Sequence, residues 1–429
     1  MARSWLARLA GKLATAIVRC HLATMEMASA CAINLLPRER DILRHRFWAT
    51  AFERLKGTGA VYFALEGKMK GCWVLRLQED ESGHQDPDKI LVRSDGTTTY
   101  VGKDIAYQMW KLGLLGEDFG YEHFHAYPDG HVLWTTRPDA LRNGAPPFGA
   151  AQKVINVIDT RQSYLQRVVK EGLKSQGFKA EAEASVHFSY EMVALSPKCA
   201  EDLGLALSEE DRGKPFVEMS GRKGLGVKAD ELLDRLDAGA FRRVKDANPD
   251  LDEERARSLA SKIARAALRY SMCKPGRTKI IAFDFDEALA FEGDTGPYLL
   301  YGAVRARSIF HRLATEQGCG AGWVEGCFDP SPILAPLPKE EQDAAWGMIA
   351  LALRLPQVAK SALDGIEISV LSRYAFQLGQ EWNTYYHRFH ILRETDPVLR
   401  RARAATAWLL MGRLVQTLDL LGIDVPERM

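Results

Sequence analysis

The amino-acid sequence predicts an α/β domain followed by an all-helical domain. Up to about residue 227, short apolar runs alternate with loops and amphipathic stretches, a pattern typical of a parallel sheet with helical connections. From about residue 228, the apolar residues recur mostly at helical spacing. The chain has 429 residues and is 46% hydrophobic, which is enough for two or three domains with their own cores.

Composition excludes several classes of protein. Lys and Arg number 57 and Asp and Glu 56, giving a net charge of +1, so the chain is not a globally basic nucleic-acid binder. Its apolar runs are too short to predict a membrane-spanning helix. Seven cysteines without a C-x-x-C pair fit a reducing compartment without a disulfide framework. We predict no metal site, because no four-ligand zinc pattern is present.

The first part of the chain predicts helices and a hairpin. It opens with a basic segment that has no acid before Glu26; we interpret it as a surface helix, although an organelle presequence has a similar pattern. Apolar residues between Ile42 and Leu55 predict one helix. Ala60–Leu65 and Cys72–Leu77 flank a turn and predict a hairpin. Residues 79–89 predict a loop.

The middle of the chain alternates between strands, loops and helices. Asp-Gly at 95–96, between extended stretches, predicts a turn. The elements that follow are a helix over Asp104–Leu112, a loop over 135–149, a strand over Val154–Ile158, a helix over Gln162–Gln176 and a strand over Val186–Leu195. Farther on we predict a short strand over Lys279–Phe283, a Gly/Cys-rich loop over 318–330 and three or more helices over 338–429.

Two segments carry residues suited to ligand binding. The loop at 219–226 combines glycines with Arg and Lys, so its N–H groups and cations suit phosphate oxygens; the alternative is a solvated turn, and the spacing is not that of a Walker loop. Asp104 lies at a predicted helix start, where a carboxylate usually caps the helix. The alternative is that Tyr100 and Asp104 face the ligand crevice of the sheet, where Asp104 binds a cationic group.

Three further patterns have weaker implications. Asp284 and Asp286 follow an apolar strand, as in haloacid-dehalogenase-type phosphatases, but they lie too late in the chain and the required Thr or Val is missing. Eight cations and no acid lie between Arg255 and Lys279, which indicates either a phosphate-binding face or a solvated helix. A polar hairpin loop is favoured over a metal site for His123, His125, Asp129 and His131.

Several segments, taken together in this order, resemble arginyl-tRNA synthetases, which are class I enzymes. The resemblance extends over nearly the whole chain from about residue 15, and the order of the segments makes it specific. The matching segments are Val18–Met25, Asp41–Leu55, Gly71–Val74, Ser94–Ala106, Met219–Leu233, Phe291–Ile309 and Leu420–Met429.

The resemblance implies which residues bind the substrates. Tyr100 and Asp104 match positions that bind arginine, with Asp104 on the guanidinium group, and Gln162 matches a glutamine near the amino acid. His187 and Phe188 match positions that flank adenine. The loop at 219–226 corresponds to the class I signature loop on the ATP phosphates, with Mg²⁺ accompanying ATP. Its expected ATP-binding residues are Met219, Ser220 and Lys223, and its expected catalytic residues are Ser220, Arg222 and Lys223.

The resemblance also assigns the helical end of the chain to an anticodon-binding bundle. Leu300 stands where the family usually has Gln, so a polar contact to tRNA is expected to be missing. The residues expected to bind tRNA are Arg265, Arg269, Tyr298, Tyr301 and Arg305. The expected domains are a remnant of the connective insertion (1–90), the second half of an incomplete Rossmann-like catalytic domain (91–227), a helical stem-contact region (228–290) and the anticodon-binding domain (291–429).

One family signature, His-x-Gly-His, has no match in the sequence. The sequence therefore resembles a carboxy-terminal portion of the enzyme, and we expect arginine–tRNA ligase activity to be impaired in this chain alone. The alternatives are a non-catalytic tRNA-binding relative and one half of a split synthetase completed by a separate chain. The expected partners are tRNA(Arg), L-arginine and ATP. We do not expect the chain to bind a membrane, and the expected compartment is the cytoplasm.

Overall fold

The computed structural model describes residues 2–29, 33–77, 88–138, 144–219, 226–319 and 334–429. The chain divides into two compact units. The α/β unit comprises Cys31–Tyr190, and the helical unit comprises Met1–Ala30 together with Glu191–Met429.

The described helices and strands are numbered in chain order. The helices are α1 (Ala2–Ser29), α2 (Glu39–Arg44), α3 (Phe47–Gly57), α4 (Tyr100–Lys111), α5 (Ser163–Lys174), α6 (Lys179–Ala184), α7 (Pro197–Asp202), α8 (Glu209–Arg212), α9 (Ala229–Ala247), α10 (Glu253–Cys273), α11 (Phe285–Ala288), α12 (Gly296–Gln317), α13 (Lys339–Ala352), α14 (Leu355–Gly365), α15 (Ser369–Arg388) and α16 (Pro397–Leu420). The strands are β1 (Leu35–Leu36), β2 (Val61–Phe63), β3 (Trp73–Leu75), β4 (Lys89–Val92), β5 (Gly120–Ala126), β6 (Val132–Arg137), β7 (Val154–Asp159), β8 (Ser185–Tyr190), β9 (Val193–Leu195) and β10 (Ile281–Phe283).

Three small sheets form the framework of the α/β unit. Strands β2, β3 and β4 are antiparallel, which confirms the predicted hairpin and adds a third strand to it. Strands β5 and β6 form another antiparallel hairpin, and β1 runs parallel to β6. Strands β7 and β8 are parallel, in register from Val154 opposite Ser185 to Asp159 opposite Tyr190. The predicted parallel pairing therefore covers only part of this unit.

The predicted secondary structure was wrong for two segments of the α/β unit. The apolar stretch between Ile42 and Leu55 forms two helices, α2 and α3, because Arg46 between them adopts a left-handed backbone with φ 61°, which interrupts the helix. The start of the predicted loop over 135–149 belongs to β6, which pairs with β5. The predicted loop over 79–89 lies largely outside the described residues.

The Asp-Gly turn is confirmed, and it leads directly into α4. The Gly96 amide donates to the Arg93 carbonyl oxygen at 2.9 Å, and Gly96 has φ +84°, a conformation that favours glycine. Helix α4 begins at Tyr100 and not at the predicted Asp104, since Thr99 before it has an extended backbone. Asp104 therefore lies in the second turn of the helix and does not cap it.

Helix α4 lies at the centre of the α/β core. Its buried residues pack with those of α3 and α5. Gly102 and Gly172 allow close approach, because a Cβ atom there would lie within 3 Å of the Trp48 ring and the Ile105 side chain, respectively. Apolar packing of this kind supplies most of the stability of such a unit.

The helical unit contains a two-stranded parallel sheet as well as helices. Strand β9 pairs with β10, so the predicted strand over Lys279–Phe283 is confirmed, while the predicted strand over Val186–Leu195 is divided between two sheets. Through this pairing, the residues that follow Tyr190 belong to the helical unit, which resumes at Glu191. The compact units therefore do not coincide with the domain boundaries drawn from the sequence.

Helices form the rest of the helical unit, and α13 to α16 confirm the predicted helical end. Helix α1 packs on α9 and α10, with Leu22 buried and the Thr24 hydroxyl donating to Asp230 at 2.6 Å. None of the helices in the described part of the chain is long and apolar enough to cross a membrane.

A buried ion cluster connects α13, α15 and α16. The Arg403 guanidinium donates from Nε and Nη2 to the two carboxylate oxygens of Glu341, at 2.6 and 2.9 Å. Its Nη1 donates to Glu394 at 2.7 Å, and the Tyr385 hydroxyl donates to Glu341 at 3.2 Å. Glu341 is only 1% exposed, so its charge depends on these partners.

We expect Arg403→Leu to lower the free energy of unfolding by about 3–5 kcal/mol, because it leaves the Glu341 carboxylate buried without its main partner. Urea denaturation followed by circular dichroism measures the change. The exposed pair of Lys360 and Asp364 on α14 provides the control, since Lys360→Met should cost less than about 1 kcal/mol. Equal effects of the two variants would contradict this role of the cluster.

Helix α12 begins where it crosses α10 at close range. Thr295 precedes it and accepts the Tyr298 amide at 3.2 Å. A Cβ atom on Gly296 would lie 2.4 Å from the Ala266 carbonyl oxygen, so only glycine fits without moving a backbone.

We therefore expect Gly296→Ala to destabilise the chain by on the order of 1–3 kcal/mol, through the displacement of α12 from α10. Gly347 on α13 has open space around its Cα, and Gly347→Ala should stabilise the chain by about 0.5–1 kcal/mol through helix propensity. Melting temperatures of both variants check the pair. A neutral Gly296→Ala would show that the helices can separate at no cost.

Candidate functional site

The candidate amino-acid site is built on one face of α4 in the α/β unit. Tyr100, Asp104, Tyr107 and Lys111 recur at spacings of four, three and four residues, which places them on one side of the helix. Tyr100 is 51% exposed and Asp104 is also exposed. Both predicted arginine-binding residues on α4 are thus open to a ligand.

The electrostatic surroundings of Asp104 are mixed. Protein atoms around its carboxyl group raise its pKa by desolvation, even though the side chain can be reached by solvent, and the Glu39 carboxylate raises this pKa further. Lys111 and Lys103 lower it. A carboxylate in this setting suits a cationic ligand, because the ligand's charge favours the ionised form.

Sequence reasoning missed Lys111, Tyr107 and Asn156. The Lys111 ammonium donates to Asn156 Oδ1 on β7 at 3.0 Å and lies 4.5 Å from the centre of the Tyr107 ring. Burial lowers the pKa of Lys111 and raises that of Tyr107 to about 12. The spacing of three and four residues from Asp104 could have indicated the two α4 residues, whereas the contact with Asn156 depends on tertiary packing.

Gln162 follows β7, at the carboxyl end of the strand. It ends a short 3-10 turn over Thr160–Gln162 and is exposed. Asp159 caps this turn by accepting the Arg161 amide at 2.8 Å, and Arg161 lowers the pKa of Asp159 to about 2. Carboxyl ends of parallel strands are common ligand positions in α/β sheets.

His187 and Phe188 are half-buried on β8, opposite Asn156 and Val157 of β7. His187 Nε2 lies 2.9 Å from the Ile158 carbonyl oxygen, so the ring is held against the neighbouring strand. Alternation along the strands places Phe188 on the face that also carries Val157.

The predicted phosphate loop lies mostly outside the described residues. Ser220, Arg222 and Lys223 belong to the segment 220–225, for which no structure is given. Met219 precedes the segment and packs, half-buried, against the core of the helical unit. Residue Val217 just before it pairs with Leu195, which ties the entry of the loop to β9.

In the helical unit, Tyr298, Tyr301 and Arg305 recur along one face of α12. The Tyr298 hydroxyl accepts a hydrogen bond from Asn383 at 2.7 Å, and Tyr301 is 47% exposed. The Arg305 guanidinium lies 4.8 Å from the centre of the Tyr386 ring on α15. Exposed aromatic and guanidinium groups of this kind can stack on unpaired bases.

Leu300, which lies on the same helix, is fully buried in the core of the helical unit. A residue at this position faces away from solvent in this chain. The buried position suits the leucine side chain, and the expected loss of a polar tRNA contact there stays a prediction.

At least four of the eight cations between Arg255 and Lys279 pair with acids from outside that stretch. Lys262 pairs with Asp424 at 3.1 Å and Lys274 with Glu287 at 3.4 Å. Arg269 donates to the Leu421 carbonyl oxygen, and Arg265 is half-buried. The one-sided charge of the sequence is therefore partly neutralised in the fold, and Arg269 holds the carboxy-terminal segment.

The other patterns noted in the sequence have structural contacts. Asp284 caps α11 by accepting the amides of Asp286 and Glu287, and Asp286 pairs with Lys198 and Arg243. The polar residues His123, His125, Asp129 and His131 lie on the hairpin formed by β5 and β6, as predicted. Across the turn of this hairpin, the Tyr127 amide donates to the His131 carbonyl oxygen at 2.8 Å.

Known proteins resemble this chain over most of its length. Residues 299–429 match the DALR anticodon binding domain. The chain is 34% identical to an arginine–tRNA ligase of Deinococcus radiodurans, over 92% of this chain and 61% of that protein. It is 35% identical to an arginine–tRNA ligase of Thermus thermophilus, over 96% of this chain and 63% of that protein.

The structure also resembles a solved one. It matches the Thermus thermophilus arginyl-tRNA synthetase with a TM-score of 0.77 and 31% identity, over 95% of this chain and 62% of that chain. The chain thus spans somewhat less than two thirds of the length of these relatives. Over the part of these relatives' length that it spans, the chain is similar to arginyl-tRNA synthetases in both sequence and structure.

Proposed function

We propose that this chain is part of an arginine–tRNA ligase that joins L-arginine to tRNA(Arg) at the expense of ATP. The observation that carries the proposal is the exposed polar face of α4. It presents Tyr100 and Asp104 in a chain that is similar, over more than nine tenths of its length, to proteins named arginine–tRNA ligase. A carboxylate beside a tyrosine is suited to a guanidinium group.

The proposed reaction has two steps. An oxygen of the arginine carboxylate attacks the α-phosphorus of ATP, the bond to the β-phosphate oxygen breaks, and pyrophosphate leaves. A ribose hydroxyl at the end of the tRNA then attacks the carbonyl carbon of arginyl-adenylate, AMP leaves, and the hydroxyl proton is lost. Neither step needs a covalent bond to the protein, so the side chains act by positioning and by electrostatic stabilisation.

The proposed roles come from the family resemblance, and the positions of the side chains support them. Asp104 and Tyr100 hold the guanidinium group, and Gln162, exposed at the carboxyl end of β7, contacts the amino acid. His187 and Phe188 on β8 are proposed to flank the adenine. Among the described residues no cluster of three His, Cys, Asp or Glu side chains could hold a metal, so Mg²⁺ is proposed to bind through the ATP phosphates.

The loop at 219–226 is proposed to stabilise the phosphates of ATP. Its cations, Arg222 and Lys223, and the hydroxyl of Ser220 suit a charge that develops on the triphosphate. Met219, at the start of the loop, is proposed to contact the nucleotide. These roles come from the family resemblance.

The helical unit is proposed to bind the anticodon region of tRNA(Arg). Tyr301 and Arg305 on α12, with Tyr386 beside them, offer stacking and cationic groups at the surface. Tyr298 lies on the same face, with its hydroxyl held by Asn383, and we propose that it also contacts the tRNA. Arg265 and Arg269 are proposed to contribute mainly positive potential, because both are half-buried.

A second candidate, half of a split synthetase, is favoured by the β7–β8 sheet. Ile155 and Val157 of β7 are 51% and 63% exposed on one face, whereas parallel sheets are normally covered on both faces. More than a third of the length of each of these relatives lies outside the match to this chain. We propose that a polypeptide carrying that remaining part, including a His-x-Gly-His sequence, covers this face and completes the ATP site.

Two assays on the purified chain test the proposal. We expect tRNA(Arg) to bind in a filter assay and arginine-dependent ATP–pyrophosphate exchange to be weak or absent, because this sequence has no match to the His-x-Gly-His signature. Tyr301→Ala should weaken tRNA binding by about fivefold to a hundredfold through lost stacking. Trp346→Ala, which removes an aromatic residue of similar exposure (53%) on α13, should leave tRNA binding unchanged.

Robust exchange by the isolated chain would contradict the split-enzyme candidate and would show that the ATP site needs no further polypeptide. Absence of tRNA binding, in a chain whose circular dichroism shows it folded, would contradict the proposed ligase and the RNA-binding alternative together.

A further inference from the structure

Two polar contacts tie α4 to the β7–β8 sheet, and neither belongs to the proposed substrate contacts. The Lys111 ammonium donates to Asn156 Oδ1 on β7 at 3.0 Å. Three residues earlier on the helix, Gln108 Nε2 donates to the Ser185 hydroxyl on β8 at 2.9 Å. Gln108, Asn156 and Ser185 are all buried, so these contacts form away from water.

The two lysines of α4 that influence Asp104 differ in how their charge is compensated. Lys103 forms an ion pair with Glu39 of α2, and Glu39 acts on Asp104 in the opposite sense to Lys103. Glu39 acts on Asp104 more strongly than Lys103 does, so the pair as a whole raises the pKa of that carboxyl group. Lys111 donates to a neutral amide and forms no ion pair with a carboxylate among the described residues, and it lowers the pKa of Asp104 more than Lys103 does.

We propose that Lys111 is a positioning residue: its ammonium group, fixed by Asn156, orients the polar face of α4 and supplies the uncompensated positive charge that keeps the Asp104 carboxylate ionised. The inference rests on the proposed arginine site and identifies a residue on which that site depends. Lys111 itself need not touch the substrate, since it lies two helical turns beyond Asp104.

The need for such a charge follows from the surroundings of Asp104. Desolvation and Glu39 both disfavour its ionised form, and the groups that oppose them are Lys111 and Lys103. A guanidinium group binds strongly only to the ionised carboxylate. Arginine affinity should therefore fall as the pH falls through the pKa of Asp104, and removal of the Lys111 charge should move that fall to higher pH.

The test compares Lys111→Gln with Lys111→Arg in the full chain. Glutamine keeps a hydrogen-bond donor for Asn156 and removes the charge, whereas arginine keeps both. Isothermal titration with L-arginine, from acid to neutral pH, gives the acid midpoint of binding. Carboxyl ¹³C NMR, with the Asp104 signal assigned by its loss in Asp104→Asn, gives the titration of the carboxylate without a ligand.

We expect Lys111→Gln to raise the Asp104 titration midpoint and the acid midpoint of arginine binding together, by about half a pH unit or more. Lys111→Arg should leave both midpoints near those of the unmodified chain. The matched control is the double variant with Glu39→Gln and Lys103→Gln, which removes the other ion pair and should not raise the midpoints, because Glu39 raises the pKa of Asp104 more than Lys103 lowers it. A merely structural Lys111 would lower the melting temperature in Lys111→Gln without moving the Asp104 midpoint.

An unchanged Asp104 midpoint in Lys111→Gln would overturn the inference, as would an upward shift in the double variant as large as that in Lys111→Gln. If no variant binds arginine, the proposed arginine site of this chain fails, and the NMR titration still decides the role of Lys111. The Asn156→Ala variant gives a second measurement: the charge stays but is no longer fixed, so the midpoint should move in the same direction by a smaller amount.

Discussion

The attachment of α4 to the β7–β8 sheet is the constraint on which the candidate site depends. Apolar contacts with α3 and α5 hold the helix in the core, but such contacts are non-directional and would permit small rotations. The buried hydrogen bonds from Lys111 to Asn156 and from Gln108 to Ser185 have a defined geometry. Breaking them would destabilise the fold, because it would leave buried polar groups without partners. They therefore select the rotation that leaves Tyr100 and Asp104 at the surface.

In the helical unit, too, buried polar contacts fix how the helices pack. There the Arg403–Glu341 cluster fixes α13 against α16, and Gly296 lets α12 approach α10. The close approach at Gly296 constrains α12, and the outer face of that helix carries Tyr301 and Arg305. In both units, buried polar or close backbone contacts determine which side chains remain available to a ligand.

Much of this arrangement could be predicted from the sequence, and the exceptions have physical reasons. Short apolar runs and periodicity predicted the β2–β3 hairpin, β7 and the helical end, and the Asp-Gly pair predicted the turn before α4, because local patterns control those elements. The left-handed Arg46, which divides α2 from α3, has no turn residue to indicate it. Tyr100 and Asp104 could be identified from a motif, whereas the contact between Lys111 and Asn156 joins residues 45 positions apart and depends on tertiary packing.

The most direct measurement of the central claim compares L-arginine with L-citrulline, its uncharged analogue, in isothermal titrations of this chain near neutral pH. If the polar face of α4 recognises a guanidinium group through Asp104, arginine should bind at least about tenfold more tightly than citrulline. Asp104→Asn should abolish the difference. Equal affinities for the two ligands, or a preference for arginine that persists in Asp104→Asn, would contradict the assignment of this face as the arginine site.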